Sequence, residues 1–260
     1  DRSAAATRYG GIVVYNVDEA GQITGSAPKW RTVRLEVHKK AALCAATAEM
    51  LSAVANFGSR LTRMMGDAIG DEVVEDALFG NGTGVCLGML NAGNPSLLAL
   101  DAEADQEADT IVPKNIIKME AFLYGEDGEG QFFYNPECHT QLSLLTLTVG
   151  TSGIPLMLAA GGFNQAPYTT IRGRRATKTD HCAALGDQGD IALVNPSQYM
   201  LATRGGVKTD MSVHLYFDYD KTAFRATFEV DGKPSWETTM KPRKGAAGTR
   251  ISPFVVIAAR

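Results

Sequence analysis

Apolar residues recur at Met50, Val54, Phe57, Leu61, Met64, Met65, Ala68, Ile69, Val73, Ala77 and Leu78, in alternating steps of three and four. That stripe predicts an amphipathic helix with one buried side. Asn56 can cap a fresh start and Gly58 weakens continuity, so the pattern predicts a short helix near 47–54 and a long one from about 56 to 79. At about 1.5 Å per residue the long helix spans roughly 36 Å. The small residues of Gly80-Asn81-Gly82-Thr83-Gly84 then stop the helix and turn the chain sharply, and Leu87-Gly88-Met89-Leu90 restarts an apolar segment.

Before this helix the pattern has period two. Tyr9–Tyr15 and Thr32–His38 are rich in β-branched, aromatic or alternating residues, with turn material at Ala20–Gln22 and Gly25–Pro28, and so predict an extended hairpin. Its tip, residues 16–29, holds few large apolar side chains and is marginal by itself. Beyond the helix, Lys114–Tyr124 suits a helix opened by Pro113, Gln131–Tyr134 a strand ending at Asn135-Pro136, and Glu137–Leu147 a further helix. Residues 150–162 read as a loop. Strands are expected at Thr169–Ile171, Ala183–Asp187, Ile191–Asn195, Ser197–Val207, Ser212–Phe217 and Thr222–Val230, with Asp231-Gly232 as a hairpin turn and Ser252–Ile257 as the closing strand.

Composition narrows the class. Of 260 residues 45% are hydrophobic, enough for one large core or two smaller lobes and too many for disorder. The net charge of −4 and pI near 5.6 give no global basic field that would draw the chain to nucleic acid or an acidic membrane. Cys44, Cys86, Cys138 and Cys182 lie far apart in a chain that needs no staples, and read as reduced, buried thiols. No run approaches the length of a membrane span, and no basic-then-apolar leader precedes the first strand. The chain begins at Asp1, which reads as a processed or trimmed start.

Candidate chemistry changes this picture little. Gly80–Gly84 lacks the Gly-Lys-Ser/Thr of a phosphate loop and follows a helix rather than a strand. Cys138-His139 and His181-Cys182 are adjacent pairs, whereas zinc ligands are usually separated by two or more residues, so core thiols and surface histidines are expected. Asp101, Glu103, Asp105, Glu107 and Asp109 imitate part of a calcium loop but lack its central glycine, which leaves a solvated loop. No nucleophile elbow is present. The basic clusters Arg172-Gly173-Arg174-Arg175 and Lys241-Pro242-Arg243-Lys244 could touch phosphate, or else be solvated or pair with acidic neighbours. The sequence therefore assigns no catalytic, cofactor-binding or metal-ligating residue.

The helical stretch ending in "G-N-G-T-G-x-x-x-G-M-L" resembles the spine-helix region of tailed-phage major capsid proteins with the Hong Kong 97 type fold. The later "S-Q-Y-x-L-A-x-R-G-G", "F-x-x-D-x-T-A-F-R", "V-D-G-K-P" and "S-P-F-V" resemble the closing segment of many such subunits, so the likeness covers residues 7–260. It implies an α+β Hong Kong 97-like fold. Its implied parts are an N-terminal segment and E-loop hairpin over 1–46, a peripheral domain with the spine helix over 47–112 and 208–250, and an axial domain over 113–207 and 251–260. The hairpin near 7–40 would clasp a neighbouring subunit. The implied function is that of a major capsid protein without enzymatic activity or cofactor, assembled in the host bacterial cytoplasm. Its main partner would be itself, in hexamers and pentamers of an icosahedral shell around DNA. Weak unspecific DNA contact, and scaffold, portal, protease or decoration proteins, would be further partners, and no membrane. Two alternatives are an encapsulin-like nanocompartment shell and, from another class, a zinc-binding enzyme. Some relatives weld their shells with a lysine–asparagine isopeptide bond. Lys29 lies in the right loop, but Phe217–Thr222 offers no asparagine, so no such crosslink is expected.

Overall fold

The computed structural model describes residues 11–28, 30–104, 106–125, 129–149, 152–155, 170–242, 244–246 and 248–260. The chain divides into two compact units: residues 34–88 with 200–233, and residues 1–33 with 89–199 and 234–260.

The smaller unit is a long helix laid on a sheet. β1 (His38–Thr47) leads into α1 (Ala48–Ala53) and α2 (Phe57–Phe79). Thr47 caps α1, its Oγ1 accepting from Met50 N at 3.3 Å. Asn56 does precede α2, but it sits in the left-handed region at φ 61° and its side chain makes no capping bond. Instead its carbonyl accepts from Arg60 N and Ser59 Oγ. The other strands of this unit are β9 (Tyr199–Thr203), β10 (Lys208–Tyr216) and β11 (Lys221–Pro234). β11 is central: β1 runs antiparallel to it with Cys44 opposite Phe224, and β9 and β10 both pair with it. Period two then sorts the faces. Ala42, Cys44 and Ala46 join Phe224, Ala226 and Phe228 against Met65, Ile69, Leu61 and Val73 of α2. Of the predicted stripe, Met50, Val54 and Met64 instead face solvent.

In that unit Asp231-Gly232 is not a turn. β11 continues through both residues because the Asp231 carboxylate is satisfied in place, by Glu36 N at 2.7 Å and Gly232 N at 2.8 Å. The Gly232 carbonyl takes Leu87 N at 2.8 Å. After α2 the chain turns back onto the helix end with glycines that close packing demands. A Cβ on Gly80 would lie 2.2 Å from the Cys86 carbonyl oxygen, and one on Gly88 would lie 2.5 Å from that of Leu78.

The larger unit is built on a six-stranded mixed sheet. Its strands are β2 (Leu97–Leu100), β3 (Gln131–Tyr134), β6 (Thr170–Ile171), β7 (Arg174–Lys178), β8 (Ile191–Val194) and β12 (Phe254–Ile257), in the order β2-β12-β8-β3-β7-β6. β8 and β12 are buried at every position, which is why they read as continuous apolar runs rather than alternations. α3 (Pro113–Phe122) and α4 (Cys138–Leu144) close the core with Ile116, Met119, Cys138 and Leu142 against Phe132, Tyr134, Leu193 and Val255. Pro113 opens α3 as expected, and Asn115 Oδ1 accepts from Val112 N at 2.9 Å.

Several expectations are corrected here. Residues 89–112 and 234–250, expected with the long helix, group with this larger unit, since β2 pairs in parallel with β12 and Met240 bridges Ile251. Residues 200–207, expected in the axial domain, fall in the smaller unit because β9 pairs with β11. Ala183–Asp187 form no strand. Within 150–162, residues Ser152–Pro155 form β5, antiparallel to β4 (Thr146–Val149), and the rest of that expected loop lies outside the described residues. The N-terminal hairpin lacks a ladder over its described part: residues 11–37 carry no strand. The chain still doubles back, with a turn in which Gly21 N donates to Asp18 O and with Val13 N donating to Ser26 Oγ at 3.2 Å. Too few apolar side chains face one another there to hold two strands by themselves. Its base is fixed where Arg31 pairs with Glu237 and donates to the Ser235 carbonyl at 2.8 Å.

Candidate assembly surfaces

Chemistry proposed from the sequence does not converge in space. Cys138 and Cys182 are buried, no disulfide joins the four free thiols, and no cluster of His, Cys, Asp and Glu among the described residues could hold a metal ion. Cys138 Sγ lies 3.6 Å from the Asp190 carbonyl oxygen. Burial, reinforced by the Asp190 charge, pushes its thiol up to about 12, so it is an inert core group. His139 stacks on Tyr134, with Nδ1 3.1 Å from the phenol oxygen. Amide side chains hold the acidic loop: Gln106 bridges Glu103 N and the Thr110 carbonyl, while Gln141 bridges Ile111 N and the Asp109 carbonyl. Glu103 pairs with Lys118, and Asp105 lies outside the described residues. Of the basic clusters, Arg172 meets Glu120 at 2.5 Å and Arg174 is tied to Glu120 and the Glu129 carbonyl, so part of that charge is neutralised internally. Lys241 and Lys244 are exposed, and Arg243, like Lys29, lies outside the described residues.

Two buried charged groups that sequence reasoning passed over stiffen the units. In the larger unit the Arg260 guanidinium, 2% exposed, meets the fully buried Asp190 carboxylate at 2.5 and 3.3 Å and also donates to the Thr110 carbonyl. Asp190 further accepts from Gly186 N and Ile191 N. In the smaller unit Lys40 Nζ on β1 sits 2.6 Å from Asp76 and 3.4 Å from Glu72 on α2. Burial works against that ammonium, yet the bond to Asp76 and the fields of both carboxylates hold it above its ordinary range. Cys86 is pushed up by burial and by Asp76 and Asp231. No signal in the sequence marks either pairing, because the partners are far apart along the chain.

What remains unpartnered is apolar surface. Ile12, Val14, Tyr15, Ile23 and Trp30 stand in solvent along the N-terminal arm. On the smaller unit, β10 is exposed at eight of its nine positions and carries Met211, Val213 and Leu215, and next to it Val207 and Phe217 are exposed. α2 covers the β1 side of the sheet more fully than the β10 side. A cleft of about 260 Å³ therefore opens there between Thr62 and Met65 of the helix and Thr209, Met211 and Phe224 of the sheet. Monomeric proteins rarely leave so many large apolar side chains uncovered, so these are surfaces for association. No helix among the described residues is long and apolar enough to cross a membrane.

Comparison with known proteins gives this architecture a context. The model of the phage capsid family matches residues 4–242. Among solved structures, the capsid of a native GTA particle is 14% identical with a TM-score of 0.69, covering 94% of this chain and 80% of that one. The structure of Mycobacterium phage Bobi is 15% identical with a TM-score of 0.59 over 94% and 80% of the two chains. The holo-SrpI encapsulin complex from Synechococcus elongatus PCC 7942 is 10% identical with a TM-score of 0.54 over 86% and 74%. No curated protein matches the sequence.

Proposed function

This chain belongs to the phage capsid family and is a major capsid protein, and we propose that it builds the head of a tailed bacteriophage or prophage as hexamers and pentamers of an icosahedral shell around the DNA genome. The observation that carries this reading is the family match across residues 4–242 on a chain whose long helix backs an open-edged sheet. Shell building asks for repeated moderate interfaces rather than one deep site, and the exposed apolar arm and β10 supply such surfaces. The smaller unit takes the peripheral role with α2 as spine, the larger unit takes the axial role, and the arm within residues 7–40 clasps a neighbour. No reaction is assigned to the protein. Assembly takes place in the host cytoplasm, with scaffold, portal, protease or decoration proteins as further partners. DNA contact is weak and unspecific, through exposed basic side chains such as Arg175 and Lys244.

Negative-stain electron microscopy beside a sizing column tests the proposal. Icosahedral shells, or rings of five and six subunits, are the expected outcome. A strict monomer under every condition would overturn it. The encapsulin match is weaker than the phage matches, and small shells that retain a protein cargo and no nucleic acid would favour that second reading.

A further inference from the structure

We propose that the β10 edge of the smaller unit pairs antiparallel with the β10 edge of a second copy, about a two-fold axis through Thr209 and perpendicular to the sheet. The inference rests on the self-assembly reading and names one contact within it. β10 is an edge strand: β11 pairs with it on one side through Lys208–Ser212, and among the described residues no strand pairs with the other side. This stretch holds no proline and its ladder with β11 becomes irregular only after Ser212, so the charges of Lys208 and Asp210 guard it, and a partner strand must match them.

The side chains choose the register. An axis perpendicular to the sheet keeps α2 of both copies on one face and requires the pairing to be centred on a residue. Centring on Lys208 or Asp210 sets like charges against each other, and centring on Met211 reaches past Ser212 into the irregular stretch. Centring on Thr209 sets Lys208 of each copy against Asp210 of the other, twice, on the outer face, beside the Arg225 that already meets Asp210 at 2.7 Å. On the helix face it sets Val207 against Met211, twice, with the two threonines between them. Those apolar residues are 45% and 76% exposed in the single chain, and Thr209 and Met211 line the open cleft. Opposite-charge, apolar and Thr–Thr cross-strand pairs are each favourable. One register thus satisfies the charges, covers the apolar side chains and closes the cleft.

The test uses a Cys44→Ala background, which removes the one thiol that is not buried. Thr209→Cys is expected to form a disulfide-linked dimer on mild oxidation, while Ser212→Cys, away from the axis, is not. Asp210→Lys would face Lys208 across the pair and raise the concentration needed for assembly by about tenfold or more; Lys208→Asp added to it restores the pairing and the wild-type concentration. Particles that form normally without the Thr209→Cys crosslink, or an Asp210→Lys variant that assembles as the wild type does, overturn this contact and leave the capsid reading standing. Crosslinked dimers without any shell would do the reverse. Crosslinking of Thr209→Cys to Val14→Cys in the arm rather than to itself would assign the edge to the arm and refute self-pairing.

Discussion

Removing the Arg260 side chain should be among the most damaging single changes to this subunit. Its guanidinium is 2% exposed and meets both oxygens of a carboxylate that is itself fully buried. In Arg260→Met the Asp190 charge would keep the Gly186 and Ile191 amides and a long contact from the Cys138 thiol but no cation, and the Thr110 carbonyl would lose a donor. Breaking a buried pair by removing one partner costs about 3–5 kcal/mol, because the other charge stays desolvated. For a chain of this size each kcal/mol lowers the melting temperature by about 2–4 °C, so the loss should be on the order of 6–20 °C. The assay is thermal unfolding followed by circular dichroism on the dissociated subunit, so that shell contacts do not mask the change. Arg260→Met with Asp190→Leu replaces the pair by apolar side chains and should recover most of the loss, since buried pairs often exchange for hydrophobic residues at little cost. A shift below about 1 kcal/mol for Arg260→Met alone, or a double variant worse than the single one, would refute the reasoning.

Glycines of the α2 region should divide into two kinds. Gly66→Ala and Gly70→Ala meet open space on the helix and should stabilise the dissociated subunit in urea by about 0.5–1 kcal/mol each. Gly80→Ala and Gly88→Ala drive a Cβ into backbone carbonyls and should destabilise it by about 1–3 kcal/mol, and a neutral result at either would contradict the packing described. Alkaline unfolding carries a further signature. The Cys138 thiol titrates from 9.0 when unfolded and near 12 when folded, so stability is whole below pH 9.0 and falls as the pH rises between those values. Lys40, raised above 10.5, contributes stability that is whole below 10.5 and lost as the pH rises through its folded value. Cys138→Ala should reduce the earlier loss, to which the raised Cys86 thiol also contributes, and Lys40→Met should remove the later one. In iodoacetamide at pH 8, Cys44 should react in the native subunit while Cys138 reacts only after unfolding, as mass spectrometry would show. Boiled particles should run as single subunits on denaturing gels, since Phe217–Thr222 offers no asparagine to Lys29; covalent ladders would disprove this.

Period and punctuation alone determined much of the fold. The 3.6-residue stripe located α2 to within a residue at each end, Pro113 marked the start of α3, aromatic enrichment before Asn135-Pro136 marked 131–134 as a strand, and the short β-branched apolar runs at 191–194 and 254–257 marked buried strands. Local signals failed where distant partners decide. β7 is rich in arginine and carries no apolar alternation, and becomes a strand because β3 pairs with it in parallel. Asp231-Gly232 has the chemistry of a turn, yet it stays extended because the Glu36 and Leu87 amides reach it across the fold. Over its described residues the N-terminal hairpin has strand-forming residues but lacks opposing apolar surface, and propensity without a partner makes no ladder there. The Asp190–Arg260 and Lys40–Asp76 pairs, and the open side of β10, were invisible in the sequence for one reason: burial and pairing belong to residues that meet only once the chain has folded.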